Sequence, residues 1–256
     1  MINKYVVFDL DETLGYFTQI GMFRDAIKYI YDISLSKQQF FMLCDLYPNI
    51  LRPGILSMLR YIKKQKVKIV IYTNNLGEKE WPNLIKDYLS YKLNDDNLFS
   101  KIICAYEINN TIIEECRTTN EKTYNDLIRC LSCKHNTKIL FFDDQYHYNM
   151  TSDNVTYINV KSYEYFYKHK NMIKLFKTSL LYKNLRFKLN EESLLNYLNR
   201  YNLKLYKKKK KELEIDKIIS KKMMYYIQTF LNIKLTQKKH VKKNNKNTYK
   251  FIELNN

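Results

Sequence analysis

The chain has 256 residues, of which 45% are hydrophobic, enough for the core of one good-sized domain and an appendage. Its 4 glycines and 3 prolines exclude collagen-like and glycine-rich linker proteins. No apolar run approaches the roughly 20 residues of a membrane-spanning helix, so we expect no membrane span.

The net charge of +18 is concentrated towards the end of the chain. Residues 181–256 carry 20 Lys and Arg against 6 Asp and Glu, whereas residues 1–180 carry 24 against 20. We therefore predict a near-neutral domain over residues 1–180 and a basic, mostly helical extension over residues 181–256. Such a charge favours phosphate-bearing partners, nucleic acid among them. A solvated basic surface without a partner is an open alternative.

The first predicted element is a buried strand over Tyr5–Phe8, and Asp9 and Asp11 follow it directly. Ligands of open α/β sheets bind at the carboxyl edge of the strands. Two neighbouring carboxylates repel each other unless a cation, a shared proton or separate roles relieve the repulsion. An oxygen-only set suits Mg²⁺ better than zinc. A solvated turn is the alternative interpretation.

The next predicted elements alternate between helices and strands, as in a parallel sheet. Residues 17–46 have the apolar spacing of two short helices that cover the rim of the site without forming a cap domain. A helix after Pro53 leads to a strand over Val67–Tyr72. Thr73 and Asn74 follow this strand, where a hydroxyl group and backbone N–H groups suit phosphate oxygens.

Two further polar groups belong to the same predicted edge. A helix over Trp81–Leu93, a strand over residues 99–106 and a small hairpin through Asn109-Asn110 precede Lys122, which stands at a helix start. A last strand over residues 138–142 ends in Asp143 and Asp144. The order of these groups indicates one shared site.

The string Asp9-Leu-Asp-Glu-Thr-Leu14 after an apolar strand resembles the nucleophile motif of the haloacid dehalogenase (HAD) superfamily. Arg52-Pro-Gly, Lys122-Thr-Tyr-Asn-Asp-Leu and Phe141-Phe-Asp-Asp are similar to motifs of the RNA polymerase II C-terminal-domain phosphatases. The resemblance covers about residues 1–165. It departs from that family at Gln-Tyr-His after Asp144 and in the long segment between Thr73 and Lys122. The Lys-, Asn- and Ile-rich composition is typical of an AT-rich genome, as in some large DNA viruses and protists.

The resemblance implies a Rossmann-like α/β fold of the HAD type with short insertions, and a Mg²⁺-dependent phosphatase. Asp9 would be the nucleophile and Asp11 the general acid and base. Thr73, Asn74 and Lys122 would hold the phosphoryl group. Asp144 would ligate Mg²⁺ with Asp9 and the backbone carbonyl of Asp11. Asp143, the fourth residue of the metal site, would sit beside Lys122 and orient it.

The resemblance favours phosphoserine or phosphothreonine in a peptide as the substrate. A nucleic-acid 3′-phosphate or a small-molecule phosphate is the alternative, and a binding module that kept the fold without the chemistry is a second one.

Five cysteines and the lack of a signal-peptide pattern indicate an intracellular protein, in cytoplasm, nucleus or virion, with reduced thiols. We expect Cys130 to pack in the core, with a zinc site near Cys133 as the weaker alternative. Beyond Tyr163 the pattern is helical, with a helix from Asn190 and a pair of helices after the lysine run 207–211. The oligomeric state is not indicated.

Overall fold

The structure, a computed structural model, describes residues 4–77, 80–203, 206–231 and 250–254. Its strands are β1 (Lys4–Phe8), β2 (Lys68–Tyr72), β3 (Lys101–Ile103), β4 (Glu107–Ile108), β5 (Thr111–Ile112), β6 (Lys138–Asp143), β7 (Val155–Val160) and β8 (Lys250–Leu254). Its helices are α1 (Thr18–Tyr31), α2 (Lys37–Asp45), α3 (Ile55–Lys64), α4 (Glu80–Leu93), α5 (Tyr124–Leu131), α6 (His169–Thr178), α7 (Leu180–Leu185), α8 (Glu191–Asn199) and α9 (Lys210–Leu231).

Six of the strands form one parallel sheet in the order β3-β2-β1-β6-β7-β8. β4 and β5 form the small hairpin that was predicted, and Asn109 and Asn110 make its turn with positive φ angles. Asparagine tolerates that conformation better than most residues, which explains why the turn falls there. The predicted α/β fold with a parallel sheet is confirmed.

The sheet is buried on both faces, because side chains alternate along each strand. In β1, Val6 and Phe8 belong to a large hydrophobic core, whereas Tyr5 and Val7 belong to a smaller one on the other face. This double burial explains why β1 is a continuous apolar run in the sequence.

The strand order places the predicted site at the centre of the sheet. β1 lies between β2 and β6, and Phe8 is in register with Ile71 and with Phe142. The chain leaves β1 at Asp9, whose N–H group donates to the carbonyl oxygen of Phe142 at 2.8 Å. The strand order reverses at β1, and such a switch point opens a crevice at the carboxyl edge.

Several predicted elements differ from those in the structure. β3 has only 3 residues, and residues 163–168 precede α6 as a non-helical segment. Val155–Val160 forms β7, a strand that was not predicted, although its β-branched residues favour one. The predicted pair of helices after the lysine run is a single helix, α9, since nothing in Lys210–Leu231 interrupts the helical pattern.

The predicted basic extension packs against the domain more closely than an appendage would. α8 and α9 bury Leu198, Ile219 and Met223 in the same core as Phe8, and β8 pairs with β7 as the sixth strand. The boundary between residues 180 and 181 stays a prediction, and residues on both sides of it share one core. Residues 232–249 of this part lie outside the described residues.

The expectation of reduced thiols throughout is wrong for one pair of cysteines. A disulfide joins Cys116 and Cys130, while Cys44, Cys104 and Cys133 remain thiols. Cys130 is buried in the smaller core, as expected, where α5 brings it next to Cys116. Among the described residues the cysteines form no cluster suited to a metal ion.

Within the described ranges, none of the helices combines the length and hydrophobicity that crossing a membrane requires.

A buried guanidinium organises the loop that follows β1. Arg52 is 1% exposed and donates hydrogen bonds to the carbonyl oxygens of Thr13 (2.6 Å), Glu12 (2.6 Å) and Lys161 (2.8 Å). Burial lowers the pKa of Arg52 to about 10, so it still carries its charge at neutral pH. Glu12 has a φ of 59°, an unusual conformation that the Arg52 contact stabilises.

We expect Arg52→Met to lower the free energy of unfolding by about 3 kcal/mol, because the change leaves three carbonyl oxygens without their charged donor. The matched control is Arg60→Met, an exposed arginine in α3, which should change it by less than about 0.5 kcal/mol. Urea unfolding of both variants measures the difference. Equal stabilities of the two variants would contradict this role for Arg52.

Candidate active site

All seven residues that the sequence analysis selected line one cleft of about 150 Å³: Asp9, Asp11, Thr73, Asn74, Lys122, Asp143 and Asp144. Six of them stand at the ends of β1, β2 and β6, and Lys122 stands just before α5. Clefts that bury whole small molecules measure about 300–1,000 Å³. This space therefore fits a phosphoryl group, and the rest of a substrate would lie outside it.

The ammonium group of Lys122 lies between two carboxylates at the centre of the cleft. Its Nζ atom is 2.5 Å from Oδ1 of Asp9 and 2.7 Å from Oδ2 of Asp143. Lys122 is 2% exposed and Asp143 is 1% exposed, so water screens this charge triad poorly. The two contacts fix the ammonium where it can also reach an anion in the cleft.

The pKa values of the triad reflect this arrangement. Burial alone would lower the pKa of Lys122, but the carboxylates of Asp143 and Asp9 hold it above its usual value. Burial alone would raise the pKa of Asp143, but Lys122 and His147 hold it below its usual value. For Asp9, burial raises the pKa well above the usual range, and Lys122 offsets only part of the effect. The ionised form of Asp9 therefore needs additional positive charge.

Asp11 makes a different set of contacts. Its Oδ2 atom accepts a hydrogen bond from Nδ2 of Asn75 at 2.7 Å. Burial raises the pKa of Asp11, although Asn75 works against the shift. A raised pKa brings a carboxyl group closer to the range in which a general acid and base exchanges protons.

Three carboxylates lie close enough to share a cation. Asp9, Asp143 and Asp144 each offer an oxygen atom, and these atoms lie within 4.8 Å of one another. Asp144 accepts hydrogen bonds from Thr13 (3.2 Å) and Ser162 (2.9 Å), which fix its orientation. An all-oxygen set of this kind suits Mg²⁺. The carboxylate of Asp11 lies outside the set, and its backbone carbonyl as a ligand stays a prediction.

The turn after β2 presents Thr73 and Asn74 to the cleft. Thr73 Oγ1 accepts a hydrogen bond from the backbone of Asn75, and Arg117 donates to the Thr73 carbonyl oxygen at 3.3 Å and to the Cys104 carbonyl oxygen at 2.7 Å. The side-chain oxygen of Asn74 is buried without a hydrogen-bond partner among the described residues. A buried amide without a partner at this position is available to a ligand.

Four contact residues were absent from the predicted site: Thr13, Asn75, His147 and Ser162. Thr13 belongs to the motif Asp9-Leu-Asp-Glu-Thr-Leu14, and Asn75 stands two residues after Thr73, so their positions in the sequence were a usable signal. His147 Nε2 lies 3.4 Å from Asp143, and Ser162 follows β7. Neither residue belongs to a sequence motif that would identify it. Ser162 reaches this edge only because it follows β7, a strand that was not predicted.

A larger cleft of about 840 Å³ adjoins the small one and shares Asp11 and Asn75 with it. α1 supplies much of its wall, and Trp81 and Tyr197 line it from α4 and α8. The predicted covering role of the insertion over residues 17–46 agrees with this placement. The body of a substrate whose phosphate occupies the small cleft has room here.

No protein-family model matches the sequence. Nor does any curated protein match it. Among solved structures, a HAD-superfamily hydrolase of subfamily IA from Geobacter sulfurreducens is similar, with 14% identity, 68% of this chain and 99% of that chain covered, and a TM-score of 0.37. A predicted phosphatase from Clostridium acetobutylicum is 18% identical, with 73% and 100% covered and a TM-score of 0.37.

A β-phosphoglucomutase from Clostridium difficile is 14% identical, with 79% of this chain and 99% of that chain covered and a TM-score of 0.36. TM-scores this low carry no argument about function. The function is therefore inferred from the geometry of the cleft.

Proposed function

We propose that this chain is a Mg²⁺-dependent phosphomonoester hydrolase that works through an aspartyl-phosphate on Asp9. The observation that carries the proposal is the position of Lys122 between Asp9 and Asp143, with Asp144 beside them and Thr73 lining the same cleft. A phosphoryl group and a carboxylate nucleophile are both negative and repel each other. The positive charge of this set offsets that repulsion and can hold the two groups in contact.

In the first half of the reaction, an Asp9 oxygen forms a bond to phosphorus while the bond from phosphorus to the leaving oxygen breaks. Asp11 donates its proton to that leaving oxygen, a role that its raised pKa supports. Lys122 and the hydroxyl group of Thr73 hold the phosphoryl oxygens. The leaving group departs towards the larger cleft, which Asp11 also lines.

In the second half, Asp11 accepts a proton from a water molecule whose oxygen forms the new bond to phosphorus. The bond between phosphorus and Asp9 breaks, which restores the carboxylate and releases inorganic phosphate. Asn75 keeps Asp11 oriented in both halves through the 2.7 Å hydrogen bond.

The carboxylates of Asp9, Asp143 and Asp144 would hold the Mg²⁺ ion. When bound, the ion supplies positive charge that keeps Asp9 ionised and offsets the charge of the phosphoryl oxygens. The residues fit this requirement, since burial raises the pKa of Asp9 and of Asp144 in the protein alone. A bound cation is the simplest source of the positive charge that would keep these two carboxylates ionised.

As substrate we propose a phosphoserine or phosphothreonine peptide, in line with the resemblance to the C-terminal-domain phosphatases. The larger cleft supports this choice, because it is wide and lined by both acidic (Asp25, Asp32) and basic (Arg24, Lys28) side chains, a mixture that suits a peptide better than a polyanion. The basic segment from Lys207 favours a second candidate, a nucleic-acid 3′-phosphatase. Turnover of a phosphopeptide against a 3′-phosphorylated oligonucleotide separates the two.

We expect Asp9→Asn to reduce turnover by about 10³-fold or more, because an amide cannot form the covalent intermediate. The fold should persist, since the amide oxygen still accepts a hydrogen bond from Lys122. A phosphatase assay with Mg²⁺, repeated with EDTA, measures the effect, and Asp153→Asn, an exposed position, is the control. Activity that survives both Asp9→Asn and EDTA would reject the mechanism; an inactive wild type would favour a binding module.

We expect Mg²⁺ to raise the midpoint of thermal unfolding of the wild type, because a ligand that binds only the folded state adds about 2.7 kcal/mol at a hundred times its Kd. Asp144→Asn should lose most of this gain, since it removes one of three charged ligands. Scanning fluorimetry after EDTA treatment and Mg²⁺ titration measures the shift. If Asp144→Asn responds as strongly as Asp153→Asn, the ion is bound elsewhere.

A further inference from the structure

A second groove, of about 620 Å³, shares no lining residue with either cleft of the candidate active site. The segment before α6, the first turn of α6, part of α8 and residues 206–207 form it. The described residues that line it include three lysines and no carboxylate. It therefore differs in charge from the larger cleft, where acidic and basic groups are mixed.

The lysines concentrate positive charge where a helix adds more. Lys168 is the N-cap of α6 and makes no side-chain capping hydrogen bond, and Lys170 lies in the first turn. The N-terminus of a helix carries partial positive charge, so cations there are unfavourable unless an anion is bound. Both lysines and Lys207 are exposed, which leaves them available to an anion.

A buried histidine provides an independent sign of a ligand. His169 lines the groove, is 4% exposed, and its Nδ1 atom lies 2.9 Å from the side-chain oxygen of Asn199. An amide oxygen only accepts, so Nδ1 carries the proton of this contact. The other ring nitrogen, Nε2, is buried without a hydrogen-bond partner among the described residues. Buried ring nitrogens are normally paired, and a ring nitrogen without a proton accepts, so a group that reached Nε2 would have to donate a hydrogen bond, as the amino group of a base can.

Aromatic side chains line the groove together with the lysines. Tyr165 packs against Tyr167 with ring centroids 4.9 Å apart, Phe166 packs edge-on against Tyr16, and Tyr206 is 43% exposed. Positive charge that follows a backbone, combined with aromatic faces for the bases, is the requirement for binding single strands of nucleic acid. An acidic peptide would use the charge but not the aromatic faces.

The basic character continues beyond the groove along the lysine run. Lys209, Lys210 and Lys211 are exposed, whereas Lys208 is neutralised by Asp216 at 2.5 Å and lies over the ring of Tyr163. Lys208 thus holds the lysine run against the protein, and its exposed neighbours continue the positive surface of the groove.

We propose that this groove binds single-stranded nucleic acid, with phosphates on Lys168, Lys170 and Lys207 and bases on Tyr165 and Tyr206. The site does not depend on the phosphatase chemistry. It would hold the protein on a nucleic acid whether or not that polymer carries the phosphate to be removed.

Fluorescence anisotropy of a labelled, mixed-sequence single-stranded DNA tests the proposal with the full chain. The triple variant K168Q/K170Q/K207Q should bind at least tenfold more weakly than wild type in low salt. Its slope of log affinity against log salt should be smaller by about 2, because each lost phosphate contact on a single strand removes about 0.7. The control K64Q/K134Q/K221Q removes the same charge from exposed positions and should keep the wild-type slope.

Two additional measurements separate the nucleic acid from other anions. Tyr206→Ala should weaken DNA binding by tenfold or more with no change in the salt slope, since stacking is not ionic. A phosphoserine peptide of equal charge should compete poorly. Equal losses in the two triple variants, wild-type affinity in Tyr206→Ala, or equal competition by the peptide would each overturn the proposal. Turnover of p-nitrophenyl phosphate should be the same in the groove variants and wild type.

Discussion

The buried ammonium of Lys122 between Asp9 and Asp143 is the contact on which the rest of the site depends. Four aspartates meet one lysine at this sheet edge, so the protein alone holds an excess of negative charge in a poorly hydrated place. Charges in such surroundings are stable only when they are paired. Burial is the main cause of the raised pKa values of Asp9, Asp11 and Asp144, and the neighbouring carboxylates add to it. A divalent cation would relieve it and would make room for a phosphate.

The fold supplies this arrangement through strand order rather than through neighbouring residues in the sequence. β1 lies between β2 and β6, which brings Asp9 beside Thr73 and Asp143. Lys122, 113 residues away in the sequence, reaches Asp9 from the segment before α5. Two buried guanidiniums secure the loops on either side. Arg52 holds carbonyl oxygens of the loop after β1, and Arg117 holds that of Thr73 after β2. Both arginines act on backbone carbonyls, so the catalytic side chains remain free to meet the substrate.

Much of this could be predicted from the sequence, because the signals are local. An apolar strand that ends in a polar residue identifies β1, β2 and β6, and the carboxyl edge then brings Asp9, Thr73 and Asp143 together. Residues whose place depends on distant packing were missed. Ser162 reaches Asp144 only because β7 precedes it in the sheet. α9 packs in the core through its apolar residues, although its basic sequence predicted an appendage. The disulfide between Cys116 and Cys130 likewise depends on where α5 packs.

The proposed mechanism requires that Asp9 itself becomes phosphorylated. Borohydride trapping measures this directly in an Asp11→Asn variant, whose second step lacks its base and whose intermediate should accumulate with p-nitrophenyl phosphate and Mg²⁺. Borohydride reduces an aspartyl-phosphate to homoserine, which peptide mass spectrometry locates. We expect homoserine at position 9, and only when the substrate was present. Homoserine at another aspartate, or release of phosphate without any homoserine at position 9, would contradict it.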